Sequence, residues 1–188
     1  MKASMIKGLG TLVAGLFAAL AAPASAQVTS TANGPYYATP SWDQKLTTNR
    51  FVILANWNNE AVLDRETGLV WEMSPSASTA TFQLADAFLC NGKNLGGRMG
   101  WRVPSLWELL TLVDKTQNPA LPAGHPFNLG DPPRFWTNTP LSVGFGAQTV
   151  WVVVFDGGFA GTTGPDGPRR AWCVRGPGGA APISPLIK

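Results

Sequence analysis

The chain has 188 residues, room for one medium domain with appendages on the usual scale of about 100–200 residues per domain. Charged residues make up 13% of it, against roughly 25% in an average soluble domain, and 21 Gly and 16 Pro punctuate a chain that is 45% hydrophobic. That mixture excludes a coiled coil, a helical bundle and a charged disordered chain, and it fits a loop-rich globular domain. The formal charge of +3 falls to +1 once Lys2 and Lys7 are set aside, leaving 12 basic against 11 acidic residues. The remaining basic residues are scattered, with Arg169-Arg170 and nearby Arg175 the nearest thing to a cluster, so no nucleic-acid partner is expected.

Residues 1–26 read as a secretory signal. Lys2 and Lys7 form its positive end, residues 8–22 are apolar, Pro23 breaks the helix, and Ala24-Ser25-Ala26 offers a small-x-small cleavage site before Gln27. The apolar stretch is shorter than the about 20 residues a membrane span needs, so an exported protein without a span after cleavage is expected: periplasmic, surface-attached or secreted. Export gives meaning to Cys90 and Cys173, the only two cysteines. An even, minimal count in an oxidising compartment points to one bridge. A metal site would need further ligands and a catalytic thiol a histidine partner, and the chain has a single histidine, His125. Closing so long a loop is worth about 4.5 kcal/mol in the chain-entropy model, as an upper figure.

Residues 27–49 are polar and small, a lead-in without periodicity. Three short strands follow at 51–54, 61–63 and 69–73, the last two joined by a turn over 64–68. A helix is expected over 81–90, with Leu84, Ala85, Phe88 and Leu89 on its inner face and Asn91-Gly92 as the stop. The clearest local signal comes next. Ser105-x-x-Glu108 is a capping box, and Leu106, Leu109, Leu110 and Val113 at i, i+3, i+4 and i+7 form an amphipathic stripe. Residues 118–134, with Pro119, Pro122, Pro126, Pro132 and Pro133, predict a long ordered loop. Residues 135–139 read as a strand, and 149–155, apolar on both faces, as a fully buried central one. A last strand at 171–175 carries Cys173, and the Gly- and Pro-rich tail 177–188 is expected to be flexible. Strands, two helices and then strands argue for α+β with a mostly antiparallel sheet, the bridge tying the helical layer to the sheet.

Several motifs in order resemble the DUF1566 family, also called the Lcl C-terminal domain: FVIL at 51–54, VLDRETGLVWE at 62–72, GWRVPSLWELLTLVD at 100–114, LPAGHPF at 121–127, FWTNT at 135–139, VWVVVFDGG at 150–158 and WCVRG at 172–176. The resemblance covers nearly all of the domain expected over 50–176. It implies a fold similar to C-type lectin and sulfatase-modifying-factor domains: a small twisted sheet, two helices and long irregular loops. It implies little about activity. Members occur in exported and surface proteins, and one looks like a glycan-binding adhesin domain carried on collagen repeats, which this chain lacks.

The chemistry is sparse. His125 reads as a capped loop residue. Among the acids Asp64, Glu66, Glu72, Glu108, Asp114, Asp156 and Asp166 a glycosidase pair would need two carboxyls about 5–10 Å apart, a spacing no sequence displays. The calcium-binding loop motifs of C-type lectins are missing, although Asp156 or Asp166 leave calcium open. The cysteine pair is better explained as a bridge than as the copper site of sulfatase-modifying relatives. Tryptophan is the excess. Trp71, Trp101, Trp107, Trp151 and Trp172 fall in regular patterns and are assigned to the core, whereas Trp42, Trp57 and Trp136 are free to offer a stacking face. The expectation is an exported, C-type-lectin-like, non-catalytic module that uses no cofactor and binds a glycan or another extracellular or envelope partner. Its expected face is Trp136, Asn138, Asp156, Arg169 and Arg170. A modifying-factor-like or hydrolytic enzyme and a structural envelope subunit are the alternatives.

Overall fold

The computed structural model describes residues 30–32, 46, 48–143 and 147–176. Residues 1–26, expected to be a signal, the tail 177–188 and Trp42 lie outside the described residues. What is described is a small α+β domain of two sheets and few helices.

Strands β1 (Ser30–Ala32), β2 (Phe51–Leu54), β3 (Ala61–Asp64), β4 (Val70–Glu72) and β8 (Val174–Arg175) form one sheet in the order β1-β2-β3-β4-β8. Strands β5 (Arg134–Val143), β6 (Ala147–Val154) and β7 (Phe159–Thr163) form a second, ordered β5-β6-β7. All pairings are antiparallel except β1 on β2, whose register sets Thr31 opposite Ile53. Strand β1 lies inside the segment expected to be an aperiodic lead-in. Its S-T-A carries no alternation, and the strand joins the sheet through its main-chain pairing with β2. The turn from β2 to β3 uses Asn58 and Asn59 in the left-handed region, which short amide side chains tolerate.

The inner strands β2, β3 and β6 are covered on both faces, which explains their unbroken apolar runs, whereas β7 stays largely open, with Phe159 52% exposed. Phe51, Val62, Trp71, Phe135, Val153, Phe155 and Trp172 fill one core, and Val52, Leu54, Leu63, Trp101, Trp136, Val150 and Val152 fill the other. Strand β6 is the buried central strand of its sheet, as the V-W-V-V-V run requires.

Helix α1 starts at Phe82–Ala85 and widens over Asp86–Asn91 into a looser i→i+5 turn. The widening turns Leu89 and Cys90 inward together and puts Phe88 outside at 74% exposure, with Leu84 also exposed. The inner face assigned from spacing is corrected at those two positions. Cys90 is bonded to Cys173, immediately before β8, so the expected bridge between helical layer and sheet is present.

Helix α2 (Leu106–Leu110) carries the expected capping box. The Ser105 hydroxyl accepts the Glu108 N–H at 3.2 Å, and the Glu108 carboxylate accepts the Ser105 N–H at 2.7 Å. The helix is shorter than its stripe. The Arg50 guanidinium donates to Thr111 O at 2.9 Å, and Asp114 N–H turns away to Ala120 O at 3.0 Å. Trp107 projects from the outer side of α2 at 72% exposure, so its assignment to the core is corrected, while Trp71, Trp101 and Trp172 are buried as expected. The last strand is also shorter than 171–175; residues 169 and 170 instead make single bridges to Ala80 and Phe135.

Candidate functional site

Residues 118–133 cross the surface without regular structure, yet the loop is fixed from beneath. Leu121, Phe127 and Leu129 are buried in the first core. Phe127 packs edge-on against Phe51 and Trp172 with centroids at 5.1 and 4.8 Å. Main-chain bonds run from Ala120 N–H to Phe155 O at 2.8 Å, from Asn128 N–H to Met73 O at 3.0 Å and from Phe155 N–H to Pro133 O at 2.9 Å. The turn after β6 approaches closely at Gly158 (φ +65°), where a Cβ would stand 2.7 Å from the Ala120 Cβ. Only glycine allows that contact.

The loop and this turn enclose an open groove of about 560 Å³. Its polar lining consists of Asn118, His125, Asn128, Asp131 and Asp156, and Pro119, Phe127, Leu129 and Pro133 supply apolar surface. The His125 ring stacks on Phe127 with centroids 6.0 Å apart, and its Nδ1 accepts the Phe127 N–H at 3.1 Å. That bond assigns the remaining proton to Nε2, and burial depresses the imidazole pKa, so at neutral pH His125 is a neutral donor. Asp131 and Asp156 are both exposed. The groove thus presents amides, carboxylates and one neutral imidazole on a rigid base, a lining suited to a polyhydroxyl or otherwise polar ligand.

The five residues expected to form the site do not make one exposed face: Trp136, Arg169 and Arg170 are neighbours, but around a buried indole. Asp156 alone lines the groove. Arg170 sits behind it, buried, donating from Nε to Ser76 O at 2.9 Å, from Nη1 to Pro132 O at 3.1 Å and from Nη2 to Pro75 O at 2.9 Å. Desolvation lowers its pKa, partly countered by Glu72 and Asp131. A Cβ on Gly130 (φ +62°) would lie 3.3 Å from its Nη2, so Arg170 backs the groove wall rather than facing a ligand.

Trp136 is corrected outright as a stacking face. It is 0% exposed, donates from Nε1 to Ala80 O at 2.8 Å and meets the Phe82 ring edge-on at 5.9 Å. Trp57 is likewise buried, at 7% exposure, with the guanidinium carbons of Arg98 and Arg175 5.5 and 5.6 Å from its ring centroid. Arg169, half-buried, lies over Trp136 with Cζ 5.6 Å from the ring and donates to the Thr163 hydroxyl at 2.8 Å. Asn138 is half-buried, its N–H bonded to Pro104 O at 2.7 Å and its Oδ1 buried without a hydrogen-bond partner.

The groove residues Asn118, Asn128 and Asp131 are not in the site expected from sequence, where His125 reads only as a capped loop residue. Their signal in the sequence was the long Pro-rich loop itself, a length of irregular chain that compact domains keep mainly for function. Both cysteines are in the bridge, so neither is a free thiol. Among the described residues no three His, Cys, Asp or Glu side chains gather in a metal-binding group, and no helix is long and apolar enough to cross a membrane.

Residues 60–175 match the family model for the Lcl C-terminal domain. No curated protein and no solved structure matches the chain.

Proposed function

The chain belongs to the Lcl C-terminal domain family, and from that footing we propose that it is an exported, non-catalytic binding module that receives a glycan or similarly polar extracellular partner in the groove over the 118–133 loop. One observation carries the reading: the polar residues of that groove stand on a loop whose Leu121, Phe127 and Leu129 are locked in the core. Such a lining is preorganised, so little ordering entropy opposes ligand capture. Planar Asn and Asp groups pair with adjacent sugar hydroxyls, the His125 Nε2–H adds a donor, and Pro119 and Pro133 supply apolar contact. Export is supported by the buried Cys90–Cys173 bridge, which persists in oxidising compartments.

The groove also contains the one feature that favours hydrolysis, two carboxylates on its lining. A glycosidase acid, however, is kept protonated by a water-poor, apolar seat. Asp131 and Asp156 have no such seat, since both stand exposed. The reading is tested by glycan-array and calorimetric binding of the mature protein beside Asp156→Asn and Asn128→Ala. Binding that falls about tenfold in either variant supports it. Binding indifferent to both variants, or turnover of chromogenic glycosides abolished by Asp156→Asn, defeats it.

A further inference from the structure

Away from the groove, a second set of contacts runs alongside the disulfide and joins the same two segments. Glu72, on β4, is buried. Its Oε2 accepts the Cys173 N–H at 3.4 Å, and its own N–H donates to Cys173 O at 3.0 Å, so Cys173 is tied to Glu72 through both of its main-chain polar groups. The other carboxylate oxygen is ion-paired with the Lys93 ammonium. Lys93 follows the end of α1, and its N–H donates to Cys90 O at 2.9 Å. A continuous non-covalent path therefore leads from Cys173 through Glu72 and Lys93 to Cys90, and the S–S bond closes it into a ring. The Cys173 sulfur also lies 3.2 Å from Leu89 O, an acceptor positioned for its thiol before oxidation.

We propose that Glu72 and Lys93 are positioning residues for the disulfide, a clasp that seats the end of α1 against β4 and holds Cys90 beside Cys173 while both are still thiols. Glu72 is fixed by its strand whether or not the helix end is docked. A carboxylate there has only the Cys173 N–H and the field of Arg170 to offset its burial until the Lys93 ammonium comes down on it. That attraction draws in the chain carrying Cys90, and the main-chain bond between Lys93 and Cys90 transmits the placement. The clasp raises the effective concentration of one thiol at the other, which governs how strongly the bridge forms. The chemistry is ordinary exchange. A protein thiolate attacks oxidised glutathione and releases one reduced glutathione. The second protein thiol then displaces the other, giving the protein disulfide and two reduced glutathiones that carry the two thiol protons.

The test is the equilibrium constant between full-length dithiol and disulfide in glutathione buffers at pH 7, read by quenched alkylation and mass. The chains compared are wild type, Lys93→Met, Lys93→Arg, Glu72→Gln, the Lys93→Met/Glu72→Gln double variant and Lys115→Met. About a tenfold weaker bridge is expected in Lys93→Met and in Glu72→Gln, no further loss in the double variant, and wild-type values in Lys93→Arg and Lys115→Met. Lys93 is at the surface end of the pair, so its variants decide the matter if Glu72→Gln fails to fold. Constants within twofold of wild type in Lys93→Met, or losses that add in the double variant, overturn the proposal.

Discussion

Replacing Arg50 by Met removes one partner of the most enclosed ion pair among the described residues. Arg50 and Asp64 are 4% and 0% exposed and joined by two bonds, Nε to Oδ1 at 2.9 Å and Nη2 to Oδ2 at 2.8 Å. The same guanidinium pairs with Glu66 at 2.8 Å and donates to Thr111 O, which ties β2 and β3 to the end of α2. Breaking a buried pair from one side costs about 3–5 kcal/mol, because the abandoned charge stays buried. Asp64 keeps the Glu66 N–H and the Thr67 hydroxyl, both at 3.0 Å, which softens the loss, while Thr111 O loses a donor, which deepens it. A value of about 4 kcal/mol is expected, or roughly 8–16 °C in Tm for a domain of this size. Adding Asp64→Asn to Arg50→Met removes the stranded charge, and about half the loss should return. Equilibrium urea unfolding followed by tryptophan fluorescence at pH 7 measures both. A loss under about 1 kcal/mol for Arg50→Met, or no recovery in the double variant, would refute the view that a compensated buried charge organises this corner.

Three further outcomes follow from the same contacts. Burial raises the Glu72 pKa above the usual glutamate range even though Lys93, the Cys173 N–H and Arg170 pull it down. The folded state therefore holds this proton more tightly than the unfolded chain: its stabilisation is complete below the unfolded pKa and lost as pH rises through the folded one. The Tm of Glu72→Gln minus that of wild type should thus grow between pH 4 and pH 7, and a flat or opposite trend would contradict this sign. Ser105→Ala removes one half of the α2 capping box and should cost about 1 kcal/mol in urea unfolding; no measurable change would mean that packing alone holds α2. Trp107→Ser should change stability by no more than about 0.5 kcal/mol, whereas Trp136→Ala should cost about 3–5 kcal/mol. Thermal melts giving the reverse order would place the wrong indole in the core.

The sequence by itself determined features whose causes are local or combinatorial. The Ser105–Glu108 box needs only a first helical turn, the V-W-V-V-V run can lie stably only where both faces are covered, and two cysteines admit one intramolecular pairing. The positions of Trp107 and Trp136 were another matter. Trp107 stands in S-L-W-E-L-L and Trp136 in R-F-W-T-N-T, mixed apolar and polar neighbours in both cases, and which is buried depends on where α2 lies and what α1 and Arg169 bring over the β5–β6 sheet. Phe88 followed a regular 3.6-residue period on paper, but the widened turn over Asp86–Asn91 changed the phase and turned it outward. The groove was hidden for a related reason. The Pro-rich loop was legible as a loop, yet the side chains lining its outer surface were settled only when Phe127 found Phe51 and Trp172, and when Gly158 closed on Ala120. Periodicity reports how a segment is patterned along itself. Contacts between residues far apart in the chain decide which side of that pattern water reaches, and those contacts exist only in the folded molecule.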